Sequence, residues 1–222
     1  MRDLLWTFFV YPIYFLKLIM VELNTLQKHP PLLAIQLQIW GYYFLFYPFL
    51  RHTYEKIKSG QDLSELVYGE TPISSFQKII KDLPLSENDR FVDLGCGKGM
   101  LALYMAQVQG IPATGIDIIP TFIKKATQLA NRYRIHRAEF KKAPILEADL
   151  TKVTIVYLAW TCLTHETRTQ LIEKLATELP DGAIVITTTY PLQDPRFTKM
   201  GSQTVQFSWS PGTVFMAKLG QT

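Results

Sequence analysis

Cysteine is scarce in this chain: Cys96 and Cys162 are its only two, and they form no C-x-x-C pair. A disulfide framework and a cysteine-based zinc site are therefore excluded, no metal is expected, and a reduced, cytosol-facing protein is the starting expectation. Charge is thin as well. Charged residues make up 19% of the chain, and 23 Lys and Arg against 19 Asp and Glu leave a net charge of +4. The basic residues are scattered rather than clustered, so the footprint of a nucleic-acid partner is missing. Internal repeats and low-complexity tracts are absent too. With 48% hydrophobic residues the chain is a folding sequence, and 222 residues are many for one small domain and few for two full ones.

The apolar residues that are present are unevenly spread. Residues 4–21 (LLWTFFVYPIYFLKLIMV) form one apolar run, broken by Pro12 and Lys17. Residues 31–50 (PLLAIQLQIWGYYFLFYPFL) form a second, broken by Gln36, Gln38 and Gly41. As helices these runs would measure roughly 27–30 Å, close to the ~30 Å hydrocarbon core of a bilayer. Trp6, Tyr11, Tyr14, Trp40, Tyr42, Tyr43 and Tyr47 suit an interfacial belt. Arg2 before the pair and Arg51, His52, Lys56 and Lys58 after it place both ends on the cytoplasmic side. No cleavage site of signal-peptide type follows the first run. Three placements fit the runs: a spanning hairpin, a hairpin lying in the membrane plane, or a helical pair packed on the rest of the protein. The expected organisation is an apolar helical, membrane-associated segment over 1–58 and a catalytic domain over 59–222 that faces the cytoplasm.

From about residue 60 short strands alternate with amphipathic helices, the pattern of an α/β domain with a parallel sheet. Helices are expected over 73–83, 101–108 (ended by Gly110), 120–134 and 166–179. Strands are expected over 91–94, 113–116, 153–159 and 183–190, with a third strand ending near Asp149. The tail TVQFSWSPGTVFMAKL reads as a hairpin about Ser210-Pro211-Gly212. The fold class is thus a doubly wound, Rossmann-like sheet closed by a β-hairpin and preceded by an apolar helical hairpin. In such sheets the ligand sits beyond the carboxyl end of the first strand.

There the chain reads FVDLGCGKGM, with glycines at 95, 97 and 99. A P-loop is excluded because Gly97-Lys98 is followed by Gly99, and the dinucleotide fingerprint because Met100 stands where its third glycine would be. Asp93 before the glycines fits the cationic end of a ligand. Asp117, about 20 residues further on at the end of the second strand, fits ribose hydroxyls. Asp149, with Leu150, fits the amino group and face of an adenine. A ribose, an adenine and a cationic amino-acid tail together make S-adenosylmethionine. The cofactor-binding set is Asp93, Gly95, Cys96 (a small filler), Gly97, Met100, Asp117, Ile118, Asp149 and Leu150. Lys98 reads as a solvated loop residue. His165 reads as the first turn of a helix capped by Thr164, with no catalytic part.

Upstream stands VYGETP, residues 67–72. Together with FVDLGCGKG, DGAIVITTTYPL (181–192) and VQFSWSPGTVFMAKL (205–219), it resembles the non-SET histone-lysine methyltransferases of the disruptor-of-telomeric-silencing family. The chain is also similar to the membrane-anchored lysine methyltransferases of mitochondria and their prokaryotic relatives. The resemblance covers about residues 64–220. It implies that Tyr68, Glu70 and Thr71 contact the amino-acid end of the cofactor, and that the acceptor is a lysine of a protein substrate. Where the histone enzymes end the fourth strand with paired asparagines, this chain has Ala159 and Trp160, and their long basic extensions are missing. Trp160 and Tyr190, with Tyr68, are the expected walls of a channel that desolvates the lysine, and Thr161 a hydrogen-bonding partner of the acceptor. A methyltransferase for a lipid, quinone or other apolar small molecule is the alternative, and a non-catalytic cofactor-binding membrane partner a second one.

Overall fold

The strand residues Phe91–Leu94, Ile155–Leu158 and Ile184–Thr188 are buried throughout. Strands covered by helices on both faces read as near-continuous apolar runs, and these three form the centre of such a sheet. The computed structural model describes residues 11–45 and 69–220. In order these are α1 (Tyr11–Leu26), α2 (Pro30–Leu45), α3 (Ile73–Ile80), β1 (Phe91–Leu94), α4 (Met100–Tyr104), β2 (Ala113–Asp117), α5 (Pro120–Arg132), β3 (Ala138–Lys142), β4 (Ile155–Leu158), α6 (His165–Glu178), β5 (Ile184–Thr188), β6 (Phe197–Gln206) and β7 (Pro211–Leu219). The seven-stranded sheet runs β3-β2-β1-β4-β5-β7-β6. Strands β1 to β5 are parallel, and β7 lies antiparallel between β5 and β6. This is the doubly wound sheet with a closing hairpin that the sequence predicts.

Local differences have local causes. The helix expected over 101–108 starts at Met100 and loosens into a π turn over Met105–Gln109 before Gly110, at φ 68, ends it. The helix expected over 73–83 ends at Ile80. The largest difference is β3, which ends at Lys142 rather than near Asp149. It is an edge strand, mostly exposed and carrying Glu139, Lys141 and Lys142, so it lacks the apolar run by which the inner strands are recognised.

Side chains alternate across the sheet and build two cores. Phe91, Tyr157 and Ile186 point to one face, with Phe76 of α3 and Leu103 of α4. Val92, Leu94, Val156 and Val185 point to the other, against Leu171 and Leu175 of α6. Leu26, Leu32, Ile35 and Ile39 of α1 and α2 are fully buried in the first of these cores, so the described parts of the two apolar runs pack on the sheet domain. Among the described residues no helix is long and apolar enough to cross a membrane. The basic residues flanking the pair, and Tyr68, lie outside the described residues.

A shared core predicts a shared unfolding transition. Ile39→Ala should cost about 2–5 kcal/mol, the usual range for emptying a buried aliphatic site. Urea denaturation followed by the far-ultraviolet signal should show one transition at lower midpoint, rather than early loss of the two N-terminal helices alone.

Candidate active site

A cavity of about 530 Å³ opens at the carboxyl ends of β1, β2 and β4. Its floor is the glycine loop. Gly95, Gly97 and Gly99 all have left-handed backbones, with φ of 85, 50 and 80°. They serve different ends. A Cβ on Gly95 would meet nothing within 4 Å, leaving bare backbone, whereas one on Gly99 would stand 2.4 Å from the Phe140 ring. The first glycine gives the turn its shape, and the last lets β3 pack beneath the loop.

Asp117 holds this loop in place. Its Oδ2 accepts from the Gly97 amide at 2.8 Å and its Oδ1 from the Ile119 amide at 2.8 Å. An ionised carboxylate has about four acceptor sites, so lone pairs remain for a ligand's hydroxyls. Asp93 is 3% exposed and accepts no hydrogen bond among the described residues. Burial, and then the neighbouring Asp117 charge, push its carboxyl up to about 8. Burial likewise raises Asp117 above the ordinary carboxylate value, opposed by backbone hydrogen bonds from Ile119, Gly97 and Ile118. A buried carboxyl without a partner, facing a cavity, fits a cationic ligand group.

Glu70 and Thr71 close the cavity from above. The Glu70 amide donates to Ser208 Oγ at 2.9 Å, and the Ser208 amide donates to the Glu70 carbonyl at 3.0 Å. Gly69 leaves room for the Trp209 ring, which would stand 2.3 Å from an added Cβ. Lys98 bridges Glu70 with its side chain only 12% exposed, so it ties the lid to the loop and is not the solvated residue expected from sequence. Thr71 Oγ1 lies 2.6 Å from the Tyr157 hydroxyl, and Tyr157 pairs across the sheet with Asp93. Burial raises the Tyr157 phenol well above its ordinary range, keeping it neutral.

Of the residues singled out in sequence, the structure brings Glu70, Thr71, Asp93, Gly95, Cys96, Gly97, Met100, Asp117 and Ile118 to the cavity wall. Asp149 and Leu150 are not there. With β3 ending at Lys142, Asp149 falls on an exposed turn, where its Oδ1 accepts from Thr151 Oγ1 at 2.7 Å and from the Thr151 amide at 3.1 Å. Those bonds hold its carboxyl below the ordinary value. Leu150 is fully buried in the second core. The cavity wall instead includes the apolar residues Ile119, Phe122, Ala143, Pro144 and Ile145, which would suit an adenine face.

Trp160, Thr161 and Tyr190 also lie away from the cavity wall. Trp160 is 1% exposed, and its Nε1 donates to the Tyr190 carbonyl at 3.0 Å. Thr161 Oγ1 lies 3.1 Å from Thr188 Oγ1 and 2.8 Å from Thr189 Oγ1, and the Tyr190 ring is capped by the Arg168 guanidinium at 4.4 Å. These three brace the loop after β5. Ala159, one position before Trp160, does line the cavity. Wall residues that sequence reasoning passed over are Tyr157, Lys98, Ser208 and, from the N-terminal helices, Glu22, Gln36 and Trp40. Only the alternation along β4, which turns Tyr157 to the side of Asp93, could have signalled the first of them.

A family model described as the ANTKMT methyltransferase domain matches residues 93–199, from the acid before the glycines into β6. The chain has the fold of the class I S-adenosylmethionine-dependent methyltransferases. A histone-lysine N-methyltransferase specific for H3 lysine-79, from Drosophila melanogaster, is 27% identical over 146 residues, covering 60% of this chain and 8% of that protein. A phosphoethanolamine N-methyltransferase from Plasmodium falciparum is 32% identical over 74 residues, covering 31% of this chain and 28% of that protein. This chain thus spans under a third of one curated relative and under a tenth of the other. Among solved structures, an RNA methyltransferase from Salinibacter ruber in complex with S-adenosyl-L-homocysteine is similar in fold. It has a TM-score of 0.58 and 24% identity, over 69% of this chain and 95% of that one. TrmN from Thermus thermophilus gives 0.60 at 17% identity, over 70% and 51%. The lining fits the cofactor these matches imply: Asp93 would meet the cationic amino end, Gly95 would offer bare backbone, Asp117 would take ribose hydroxyls, and the apolar residues by Phe122 would cover an adenine. Among the described residues no group of side chains could hold a metal ion.

Two outcomes follow from the two acids. Asp117→Ala should weaken S-adenosylhomocysteine binding by about 10- to 100-fold, the worth of charge-assisted hydrogen bonds, whereas Asp149→Ala should leave it within about twofold. Titration calorimetry on the full chain checks both. Asp93 gives a pH dependence. In the free protein its carboxyl is mostly protonated below pH 8, and a cationic ligand needs it ionised. Affinity should therefore rise as pH goes from 6 to 8, and Asp93→Asn should bind weakly with no such slope. Stability of the free protein should run the other way. A carboxyl whose folded pKa lies above its unfolded value contributes most below about 4, and that contribution is lost as pH rises through about 8. Thermal denaturation without cofactor should therefore show a lower Tm at pH 9 than at pH 6.

Proposed function

We propose that this methyltransferase modifies lysine side chains of a protein at a membrane surface. The observation that carries the lysine reading is the match to the histone-lysine enzyme, which spans 60% of this chain. The chemistry of the cavity agrees with it. Methyl transfer to an amine needs a neutral nitrogen, and a stem held among Leu18, Ile19 and Trp40 would be desolvated, which lowers an ammonium pKa. The cofactor supplies an activated methyl group on a sulfonium. The chain's own part is alignment, a contribution of up to roughly 7–11 kcal/mol when nucleophile and methyl are held in line. Asp93 and Asp117 fix the cofactor's two polar ends. The lid of Glu70 and Thr71, pinned by Ser208 and Lys98, keeps water from the reacting groups.

The membrane part rests on the outer face of the N-terminal pair. Leu16, Met20 and Leu37 are 59, 64 and 50% exposed, and Lys17 stands exposed beside them. An apolar face edged by lysine suits attachment in the membrane plane. The sequence continues apolar on both sides, as LLWTFFV over 4–10 and FYPFL over 46–50. The catalytic domain would then face the cytoplasm.

The phosphoethanolamine N-methyltransferase match favours a second reading, in which the acceptor is a small or lipid-borne amine. One experiment separates the two. The detergent-solubilised full chain is incubated with host membranes and tritiated S-adenosylmethionine, and products are divided into protein and lipid fractions. Label in a protein band that mass spectrometry maps to methyl-lysine is the expected result. Label confined to the lipid extract would overturn the lysine reading.

A further inference from the structure

The cofactor-binding residues account for one end of the cavity. The other end is built by the N-terminal helices: Leu18, Ile19 and Glu22 from α1, and Gln36 and Trp40 from α2. Two of these are polar groups buried almost completely, Gln36 within the second apolar run and Glu22 just past the end of the first. Gln36 is 3% exposed and makes no hydrogen bond among the described residues. A buried amide left unpaired costs about 1–3 kcal/mol, so natural structures rarely keep one without a partner. Glu22 is 5% exposed. Its Oε1 accepts from the Ile73 amide at 2.7 Å and its Oε2 from the Ser74 amide at 3.0 Å, so it caps α3. The Ser74 side chain donates to it as well, which leaves one of its roughly four acceptor positions, and no cationic side chain among the described residues pairs with it. Burial raises its carboxyl above the ordinary value.

We propose that Glu22 and Gln36 form the acceptor subsite of this cavity, receiving a primary ammonium, carried on an aliphatic stem, whose proton passes to the Glu22 carboxylate before the neutral nitrogen takes the methyl group. The chemistry selects that ligand. A carboxylate without a cation and an amide carbonyl without a donor need N–H groups, ideally charged ones. The walls beside them are a leucine, an isoleucine and an indole, which suit methylenes and offer an aromatic face to a cation. Asp93 already stands for the cofactor's own ammonium, so the second acid of the cavity is assigned to a second amine. The assignment of that amine to a lysine side chain rests on the function proposed above. The amine subsite itself does not.

The test uses n-butylamine as the probe, because it has the head and stem of lysine and belongs neither to a protein nor to a lipid. The full chain, loaded with S-adenosylhomocysteine, is titrated with butylamine and followed by saturation-transfer NMR, for the wild type, Gln36→Leu and Glu22→Gln. Calorimetry gives each protein's affinity for S-adenosylhomocysteine, and thermal denaturation shows that each is folded. Gln36→Leu keeps the volume without the amide, so it serves even if the altered cap of Glu22→Gln unfolds the protein. The expected result is butylammonium binding by the wild type, weakened at least tenfold in the folded variants, with S-adenosylhomocysteine affinity unchanged within about twofold. Equal butylamine binding in the variants would overturn the proposal, as would no binding by the wild type. A parallel fall in S-adenosylhomocysteine affinity would also overturn it, by giving the pair to the cofactor. If the subsite holds while tritium enters only lipid, the lysine reading fails and the amine subsite stands.

Discussion

Two carboxylates buried side by side, at the ends of the adjacent strands β1 and β2, are the constraint around which the rest of the site is arranged. Taking an acid out of water is costly unless its charge is met by donors or a cation. Asp117 meets that requirement inside the protein, through the Gly97 and Ile119 amides. In doing so it draws the glycine loop over the end of β2 and fixes the backbone on which a cofactor must lie. Asp93 has no such donors among the described residues, and the charge of Asp117 beside it makes ionisation harder still. The fold therefore carries an unmet electrostatic demand that a ligand with a cationic end satisfies. Stability given up at this position is what gives the cavity its preference, a trade often found where binding sites are buried.

The second constraint is closure, and it joins parts of the chain that are far apart in sequence. Residues 69–71 follow the N-terminal helices, whereas Ser208 and Trp209 sit at the tip of the last hairpin. The reciprocal bonds between Glu70 and Ser208 make a short antiparallel contact between them. Gly69 is required because Trp209, stacked on Phe207 at 4.7 Å, occupies the space its side chain would take. Lys98 then reaches from the glycine loop to Glu70. The lid, the loop and the hairpin are thus one unit. The hairpin ends the sheet and also holds the segment that closes the cavity.

How far this was legible in the sequence depended on burial. The inner strands betray themselves as apolar runs, and Gly110, Pro120 and Thr164 mark helix ends where the structure has them, so the order of elements could be read directly. Edge strand β3 could not be read in that way. Its exposed, charged residues carry no apolar signal, and the misplaced end led to Asp149, whose carboxylate only closes a turn with Thr151. The glycines, Asp93 and Asp117 were legible because they lie within one strand-loop-helix-strand unit whose geometry is fixed by sequence spacing. Glu22 and Gln36 reach the cavity through tertiary packing, which no local pattern records, whereas for Tyr157 the alternation along β4 was the one signal. Trp160 failed as a wall residue for a related reason. One step along a strand end exchanges one face of the sheet for the other, so Ala159 lines the cavity and Trp160 enters the core.

The polar residues that interrupt the two apolar runs gain a meaning from this packing. In sequence they weaken the runs as membrane spans. In the fold Gln36 is directed to the cavity and Gln38 to Tyr133 and the Arg132 guanidinium, while Glu22, just past the first run, reaches the start of α3 and Lys17 stays exposed. The uninterrupted apolar positions Leu16, Met20 and Leu37 lie on the opposite side. A helix apolar on all sides serves two apolar surroundings, or one surrounding twice. Here the inner surrounding is the sheet domain, and the outer one is the membrane face proposed for the pair. A single helix layer, about 10–12 Å thick, would then separate a lipid surface from the subsite that receives the acceptor. An acceptor amine close to the bilayer could reach that subsite without leaving the membrane region. The N-terminal helices would thus act as cavity wall and attachment surface together, which gives both the apolar excess and its polar interruptions a physical reason.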